Sequence, residues 1–183
     1  MLILSQIIYI IAVALLFLLL IYFVLYLLAV NISILSRVPF VPSKRIQIEE
    51  IFSFVQPQKD KIFYDLGSGD GRVVISASKK YGLKAIGIEF NPLLILFSNI
   101  RARLSQAPSA RFIRADLLKY DFSDADYIYL FLFPSLLDRL VPQLKKCKKG
   151  TYIISHGFKI DDLESKLEST HQAKPFSTYF YRL

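Results

Sequence analysis

The chain has 183 residues and carries 23 Lys and Arg against 15 Asp and Glu, a net charge of +8, and its length suits one domain plus an appendage. A lone cysteine, Cys147, excludes an internal disulfide and a thiolate metal cluster, and the two histidines, His156 and His171, exclude a histidine-rich metal site, so no metal is expected. No stacked aromatic and basic repeats argue for a nucleic-acid channel, so no nucleic-acid partner is expected, and the surplus charge reads as solubility or as attraction to an anionic membrane or acidic protein patch.

From Met1 to Ser36 there is no charged side chain, and the first is Arg37. Between Ile7 and Val30, 18 of the 24 residues are Leu, Ile, Val or Phe, worth about −5 to −11 kcal/mol on the membrane-insertion scale. At about 1.5 Å per residue such a run crosses the roughly 30 Å hydrocarbon core. A cleaved secretory signal would need a basic start and a shorter apolar core; residues 1–6 have no Lys or Arg. Arg37, Lys44 and Arg45 follow the span, which places the rest of the chain in the cytoplasm or the equivalent organelle compartment. The expected division is a single-pass anchor over 1–36 contacting the bilayer through 7–30, a linker and lead-in helix over 37–60, and a soluble domain over 61–183.

Val38 to Pro42 reads VPFVP, a proline-punctuated linker. Ser43 can cap a helix from Lys44 to Val55 with apolar positions at Ile46, Ile48, Ile51, Phe52 and Val55. Strands and helices then alternate. Lys61–Leu66 is a strand, Arg72–Tyr81 a helix stopped by Gly82, and Lys84–Ile88 a strand. A helix from Pro92 to Gln106 opens on proline. Arg111–Arg114 and the apolar Tyr127–Phe133 are strands, the latter central and buried. Pro134 to Cys147 is a helix whose end carries the Lys145, Lys146, Lys148 and Lys149 cluster. Thr151–Ser155 is a strand, Ile160–Ser169 a helix, and Ser177–Tyr181 a last, antiparallel edge strand. Such βα alternation predicts an α/β fold, a doubly wound and mostly parallel Rossmann-like sheet of about six strands. With one strand beyond the fifth, the terminal hairpin is expected to be incomplete.

In such sheets the ligand lies outside the carboxyl ends of the strands. Asp65-Leu66-Gly67-Ser68-Gly69-Asp70-Gly71 stands there after the first strand. Its spacing is GxGxG, not the GxGxxG of a pyrophosphate site, and no Gly-Lys-Ser/Thr follows as in a P-loop. Two carboxylates, Asp65 and Asp70, would repel pyrophosphate and suit a ligand with an amino group and a sulfonium cation. The competing reading is a tight strand-to-helix turn. Glu89 ends the second strand, where an acid can accept from both ribose hydroxyls, or lie on the surface. Asp116 follows the third strand, where it can accept from an adenine amino group or cap a helix.

The stretches PFVPS (39–43), YDLGSGDGR (64–72), AIGIEFNP (85–92), RFIRADLLKYDFSDAD (111–126) and LFLFPSLLDRLVPQLKKCKKGTYIISH (130–156) resemble the class I S-adenosylmethionine-dependent methyltransferases. More narrowly, FLFP, IISH and the PFVPS lead-in are similar to the membrane-anchored protein-lysine methyltransferases related to the enzyme for the c-subunit of ATP synthase. The resemblance covers about two-thirds of the chain. It implies S-adenosyl-L-methionine as cofactor, with Asp65, Gly67, Ser68, Gly69 and Gly71 lining its methionine part, Glu89 its ribose, and Asp116 and Leu117 its adenine. It also implies a methyl-transfer site floored by Phe131 to Pro134, of which Phe131, Phe133 and Pro134 would wall the nucleophile; ordinary strand packing explains them as well. Planar-nitrogen methyltransferases use Asn/Asp-Pro-Pro-Tyr there, and its absence disfavours base or glutamine methylation.

His156, at the end of the fifth strand, is a candidate base or orienter, or a structural histidine; Asp138 and Ser155 are weaker candidates. Tyr64 is expected to pack in its strand. Cys147 sits among lysines that could lower its pKa. The function expected is methylation of an accessible lysine on a membrane or membrane-associated protein. A methyltransferase of a lipid, quinone or other small hydrophobic substrate and a non-catalytic cofactor-binding assembly module are the alternatives.

Overall fold

The structure, a computed structural model, describes residues 2–35 and 45–183, with side chains described at 3–28, 30 and 47–183. The linker at 38–42, Arg37, the Ser43 cap, Lys44 and the side chains of Arg45 and Ile46 lie outside the described residues. The chain divides into two units, Met1–Phe40 and Val41–Leu183.

In the first unit Leu2–Leu35 forms one helix, α1, about 50 Å long at the standard rise. Its stretch Ile3–Leu28 has 26 residues with a mean hydropathy of 3.1, none of them buried in the fold. By length and composition that stretch is able to cross a membrane.

The second unit begins with helix α2 (Arg45–Val55), followed by strand β1 (Ile62–Leu66), α3 (Arg72–Tyr81), β2 (Lys84–Glu89), α4 (Pro92–Leu104), β3 (Ala110–Arg114), β4 (Tyr127–Leu130), α5 (Pro134–Leu144) and β5 (Tyr152–His156). A 3-10 segment (Asp161–Lys166) leads to β6 (Leu167–His171) and β7 (Thr178–Arg182). The seven strands form one sheet in the order β3-β2-β1-β4-β5-β7-β6. β1 to β5 are parallel, and β7 lies antiparallel between β5 and β6. The order reverses between β1 and β4, so the switch point lies at their carboxyl ends.

Local chemistry accounts for the element ends. Gly82 closes α3 in the left-handed region at φ 65, its N–H returning to Ala77 and Ser78 carbonyls. Asn91 caps α4 by accepting from the Leu93 N–H at 3.0 Å, with Pro92 at the first helical position. β4 stops at Leu130, three residues short of the expected end. Its partner β1 turns away at Leu66 into the glycine loop, so the backbone beyond Leu130 has no ladder on that side.

The sheet is covered on both faces. Ile48, Ile51 and Phe52 of α2 and Val73, Val74 and Ala77 of α3 pack with Phe63, Tyr129 and Ile154. The opposite face is covered by Leu137, Leu140, Val141 and Leu144 of α5, by Phe122 and by Ile160 and Leu163. Fully burying each such Leu, Ile or Phe contributes about 1.5–3 kcal/mol. Between β3 and β4 residues 115–126 run as turns.

Two expectations fail in the same place. Ile160–Ser169 is not a helix: after the 3-10 segment, whose Leu163 already departs from helical geometry, the chain becomes β6. Ile160 and Leu163, both 2% exposed, reach the core from that short turn, so their helix-like spacing needs no α-helix. The hidden strand raises the count from six to seven and completes the terminal hairpin, with Arg182 Nε donating to Glu168 Oε1 across it at 2.6 Å.

Candidate functional site

The parallel register sets Leu66 beside Ile88 and Glu89 beside Arg114. Asp65, Glu89 and Asp116 therefore stand at the same end of three adjacent strands, each roughly 4.8 Å from the next. The loop after β1 is pinned there. Gly67 and Ser68 N–H groups both donate to the Ile88 carbonyl at 2.9 and 3.0 Å, and Gly69 N–H donates to Glu89 Oε2 at 3.0 Å. Glu89 Oε1 accepts from Asn91 N–H at 2.8 Å. Glu89 thus buttresses the loop while keeping lone pairs on both oxygens for a ligand.

Gly67 is required on two counts. Its φ of 86 lies in the left-handed region, and a Cβ there would come within 2.9 Å of Leu132 Cδ2. At Gly71, φ 77, a Cβ would meet the Phe112 ring at 2.6 Å. At both positions the loop backbone is packed so closely on Leu132, Phe112 and Ser98 that no side chain fits. Ser68 Oγ lies buried against Gly87 of β2, without a hydrogen-bond partner among the described residues.

Asp65 is 3% exposed, and its carboxylate makes no hydrogen bond or ion pair among the described residues. Burial, then the like charges of Glu89 and Asp70, push its pKa well above the ordinary carboxylate value. A cation placed beside such a group would offset the cost of its ionised form. Asp70 is different, and the pairing of the two acids as ligand-facing carboxylates is corrected. Asp70 Oδ1 accepts from Arg72 Nε at 2.9 Å and Oδ2 pairs with the Arg101 guanidinium at 2.6 Å. Burial alone would raise its pKa, but the Arg72 hydrogen bonds and the Arg101 and Arg72 charges hold it below the ordinary range. Its role is to clasp the loop to α3 and α4.

Asp116 Oδ1 accepts from Leu118 N–H at 3.0 Å, capping the turn after β3; its other oxygen has no described hydrogen bond. Leu117 is half-buried against the core beside it.

Beyond β4 the residues separate. Phe131 is half-buried, with its ring 4.7 Å from His156 and 5.2 Å from Phe176, centre to centre. Leu132 is buried against Gly67. Phe133 is 42% exposed and lies 6.0 Å from Phe158, and Pro134 opens α5 at the surface. The structure thus brings Phe131 to His156 but not Phe133 or Pro134. His156 is 1% exposed. Its Nδ1 lies 2.9 Å from Thr178 Oγ1, its Nε2 has no partner among the described residues, and burial lowers its pKa to about 4.

Among the lesser candidates, Ser155 Oγ donates to the Phe158 carbonyl at 2.6 Å and Asp138 is exposed on α5. Tyr64 is buried against Tyr120 and Phe122, as its strand position suggests. Cys147 reverses its expectation: burial, then Asp121 and Asp124, raise its thiol to about 11. Its neighbours in sequence are cations, but the charges that reach the sulfur are anions. Arg101, Phe176 and Thr178 are not visible as site residues in the sequence, because each arrives through a long-range contact with no local motif.

Residues 65–167, more than half of the chain, match the family described as the ANTKMT methyltransferase domain. The chain is 33% identical over 132 residues to a protein-lysine N-methyltransferase of Saccharolobus islandicus, covering 70% of this chain and 81% of that one. It is 38% identical over 109 residues to the human ATP synthase c-subunit lysine N-methyltransferase, covering 59% of this chain. The chain spans about half the length of that relative, 46%. Among solved structures it is similar to an RNA methyltransferase of Salinibacter ruber bound to S-adenosyl-L-homocysteine, with a TM-score of 0.72 and 29% identity over 78% of this chain and 93% of the other.

Proposed function

The chain belongs to the ANTKMT methyltransferase domain family of S-adenosylmethionine-dependent enzymes, and on that premise we propose that it is a protein-lysine N-methyltransferase, held to a membrane by α1 and acting on a membrane or membrane-associated protein. The observation that carries this reading is the likeness to two protein-lysine methyltransferases, from an archaeon and from human, with the family match running from the glycine loop through His156.

The residues suit the cofactor. Asp65, buried beside the loop with its pKa raised, suits a cation such as the methionine ammonium, and the Glu89 oxygens keep lone pairs for hydroxyl donors. Glu89 takes the ribose, and Asp116 and Leu117 take the adenine. When bound, S-adenosylmethionine supplies an electrophilic methyl on a sulfonium, so a nucleophile's lone pair forms the new bond as the carbon–sulfur pair leaves with sulfur.

The chain's own task is to deliver a neutral lysine amine in line, about 3–3.5 Å from the methyl carbon. Phe131 gives the lysine an apolar wall that disfavours the ammonium form and so lowers its pKa, while Phe133 and Pro134 stay at the exposed start of α5. A membrane tether would confine the enzyme with its acceptor and raise the effective concentration. Arg37, Lys44 and Arg45 after the span support a domain on the cytoplasmic side or its organelle equivalent.

The test is to incubate membranes from a deletion strain with full-length protein and methyl-labelled cofactor. Protease-sensitive label that maps to lysine is the expected result. Label that extracts into organic solvent would instead support a lipid or quinone acceptor, and label in RNA would defeat the protein reading.

A further inference from the structure

We propose that Phe131, His156 and Phe176 form the seat of the acceptor amine, with Nε2 of His156 accepting an N–H from it and the two rings shutting out water. The inference rests on the lysine-methyltransferase reading and names the groups that receive the lysine.

Position comes first. Leu132, the residue a Gly67 side chain would strike at 2.9 Å, is the chain neighbour of Phe131. The Phe131 ring in turn lies 4.7 Å from the imidazole. His156 is therefore linked to the loop through two consecutive residues, Phe131 and Leu132, on the β4–β5 side of the switch point.

The orphaned nitrogen comes second. Burying a polar atom without a partner costs about 1–3 kcal/mol, and natural interiors seldom carry one without a use. Nε2 of His156 is such an atom in a residue 1% exposed. The other ring nitrogen is held by Thr178 Oγ1, across the β5–β7 pairing that sets His156 opposite Thr178. In the tautomer that donates Nδ1–H to Thr178, Nε2 is a bare acceptor with a fixed direction. Thr178 is the positioning residue.

The surroundings come third. Phe131 and Phe176 meet the imidazole edge-on, the latter at 5.8 Å, and Tyr129 lies stacked beneath it at 6.4 Å. Such apolar walls disfavour a charged occupant beside Nε2 and favour a neutral amine there. An imidazole kept neutral by burial does not draw the proton from an ammonium at neutral pH. It holds a neutral amine by one N–H and leaves the nitrogen lone pair free to point elsewhere. Of the two roles open to His156, orienter and base, the geometry points to the orienter.

The chain's two histidines make the test clean. Full-length protein labelled with 15N-histidine, in nanodiscs with S-adenosylhomocysteine, is titrated with Nα-acetyl-lysine methylamide while the imidazole nitrogens are followed by NMR. The His156 Nε2 resonance should move and the His171 resonances should stay; a His156 signal unmoved at saturating amine overturns the proposal, whether or not any variant folds. In the deletion-strain membranes, His156→Phe should bind S-adenosylhomocysteine within about twofold of wild type yet show at least about a tenfold higher apparent KM for the acceptor. His156→Gln, which returns an acceptor atom, should recover part of that loss. A His156→Phe enzyme with wild-type KM and kcat refutes this proposal alone, whereas wild-type protein that labels no lysine refutes the parent reading and this one with it.

Discussion

Replacing Asp65 by asparagine separates what this carboxylate does for the ligand from what it does to the fold. The side chain is 3% exposed and faces the like charges of Glu89 and Asp70, so its ionised form is a liability until a cation arrives. Because its folded pKa is raised, the folded apo domain holds a proton that the unfolded chain releases above the ordinary carboxylate value. Stability from this group is therefore greatest below that value and falls as pH rises toward the folded pKa, by at most about 1.4 kcal/mol per pH unit. Asp65→Asn lacks that slope, so melting curves of the two apo proteins should nearly coincide near pH 4 and diverge above it, with the variant the more stable. Binding should run the other way. Loss of a charge-assisted hydrogen bond costs about 1.5–3 kcal/mol, which is roughly a 10- to 150-fold weaker affinity for S-adenosylhomocysteine. Wild-type binding should also release up to one proton, so its calorimetric heat in phosphate should differ from that in Tris. Buffer-independent heats from pH 5 to 8, together with wild-type affinity in Asp65→Asn, would refute the assignment of Asp65 as the cation seat.

Gly67→Ala combines a left-handed φ with a Cβ 2.9 Å from Leu132 Cδ2; it should destabilise the domain by about 1–3 kcal/mol and abolish the calorimetric signal for S-adenosylhomocysteine. Asp70→Asn should leave two arginines without their buried partner and lower the urea midpoint by an amount corresponding to about 1–3 kcal/mol. Since the Asp70 pKa is depressed, its contribution is present above the ordinary carboxylate value and fades as pH falls through the folded one, so wild type and variant should converge in acid. With its thiol raised to about 11 and buried, Cys147 should resist iodoacetamide at pH 8 in the native protein and react fully in urea, as read by mass spectrometry.

The placement of the candidate cofactor residues at the strand ends is legible in the chain because it is local. The glycine loop, the acid ending β2 and the acid after β3 each follow a strand whose boundaries composition marks, and parallel pairing aligns their ends. Asn91 and Gly82 likewise act within a few residues of themselves. What escapes reading depends on distant partners. Arg101 reaches Asp70 from 31 residues away, which turns a supposed ligand group into a structural clasp. The region of β6 reads as helix because Ile160, Leu163 and Leu167 fall at helical spacing, although Leu163 belongs to the 3-10 segment, Leu167 begins the strand, and only pairing with β7 reveals it. The surroundings of His156 come from the β5–β7 register and from Phe176, neither of which any local pattern encodes. Cys147 shows the same limit in electrostatics, where adjacency in sequence suggests cations and folding supplies Asp121 and Asp124.

The strand order also sets an order in time. β7 is the most C-terminal strand among the described residues, yet it lies between β5 and β6, so β6 has no ladder and β5 only the one with β4 until residues 178–182 have been made. A chain synthesised from its N-terminus presents the apolar α1 before any strand and can close this sheet only once residues 178–182 have been made. Throughout that interval β5 and β6 are open edges, ready templates for the wrong strand. Crowded nascent chains would meet that hazard together, so crowding during synthesis should lower the yield of folded protein even where the finished domain is stable.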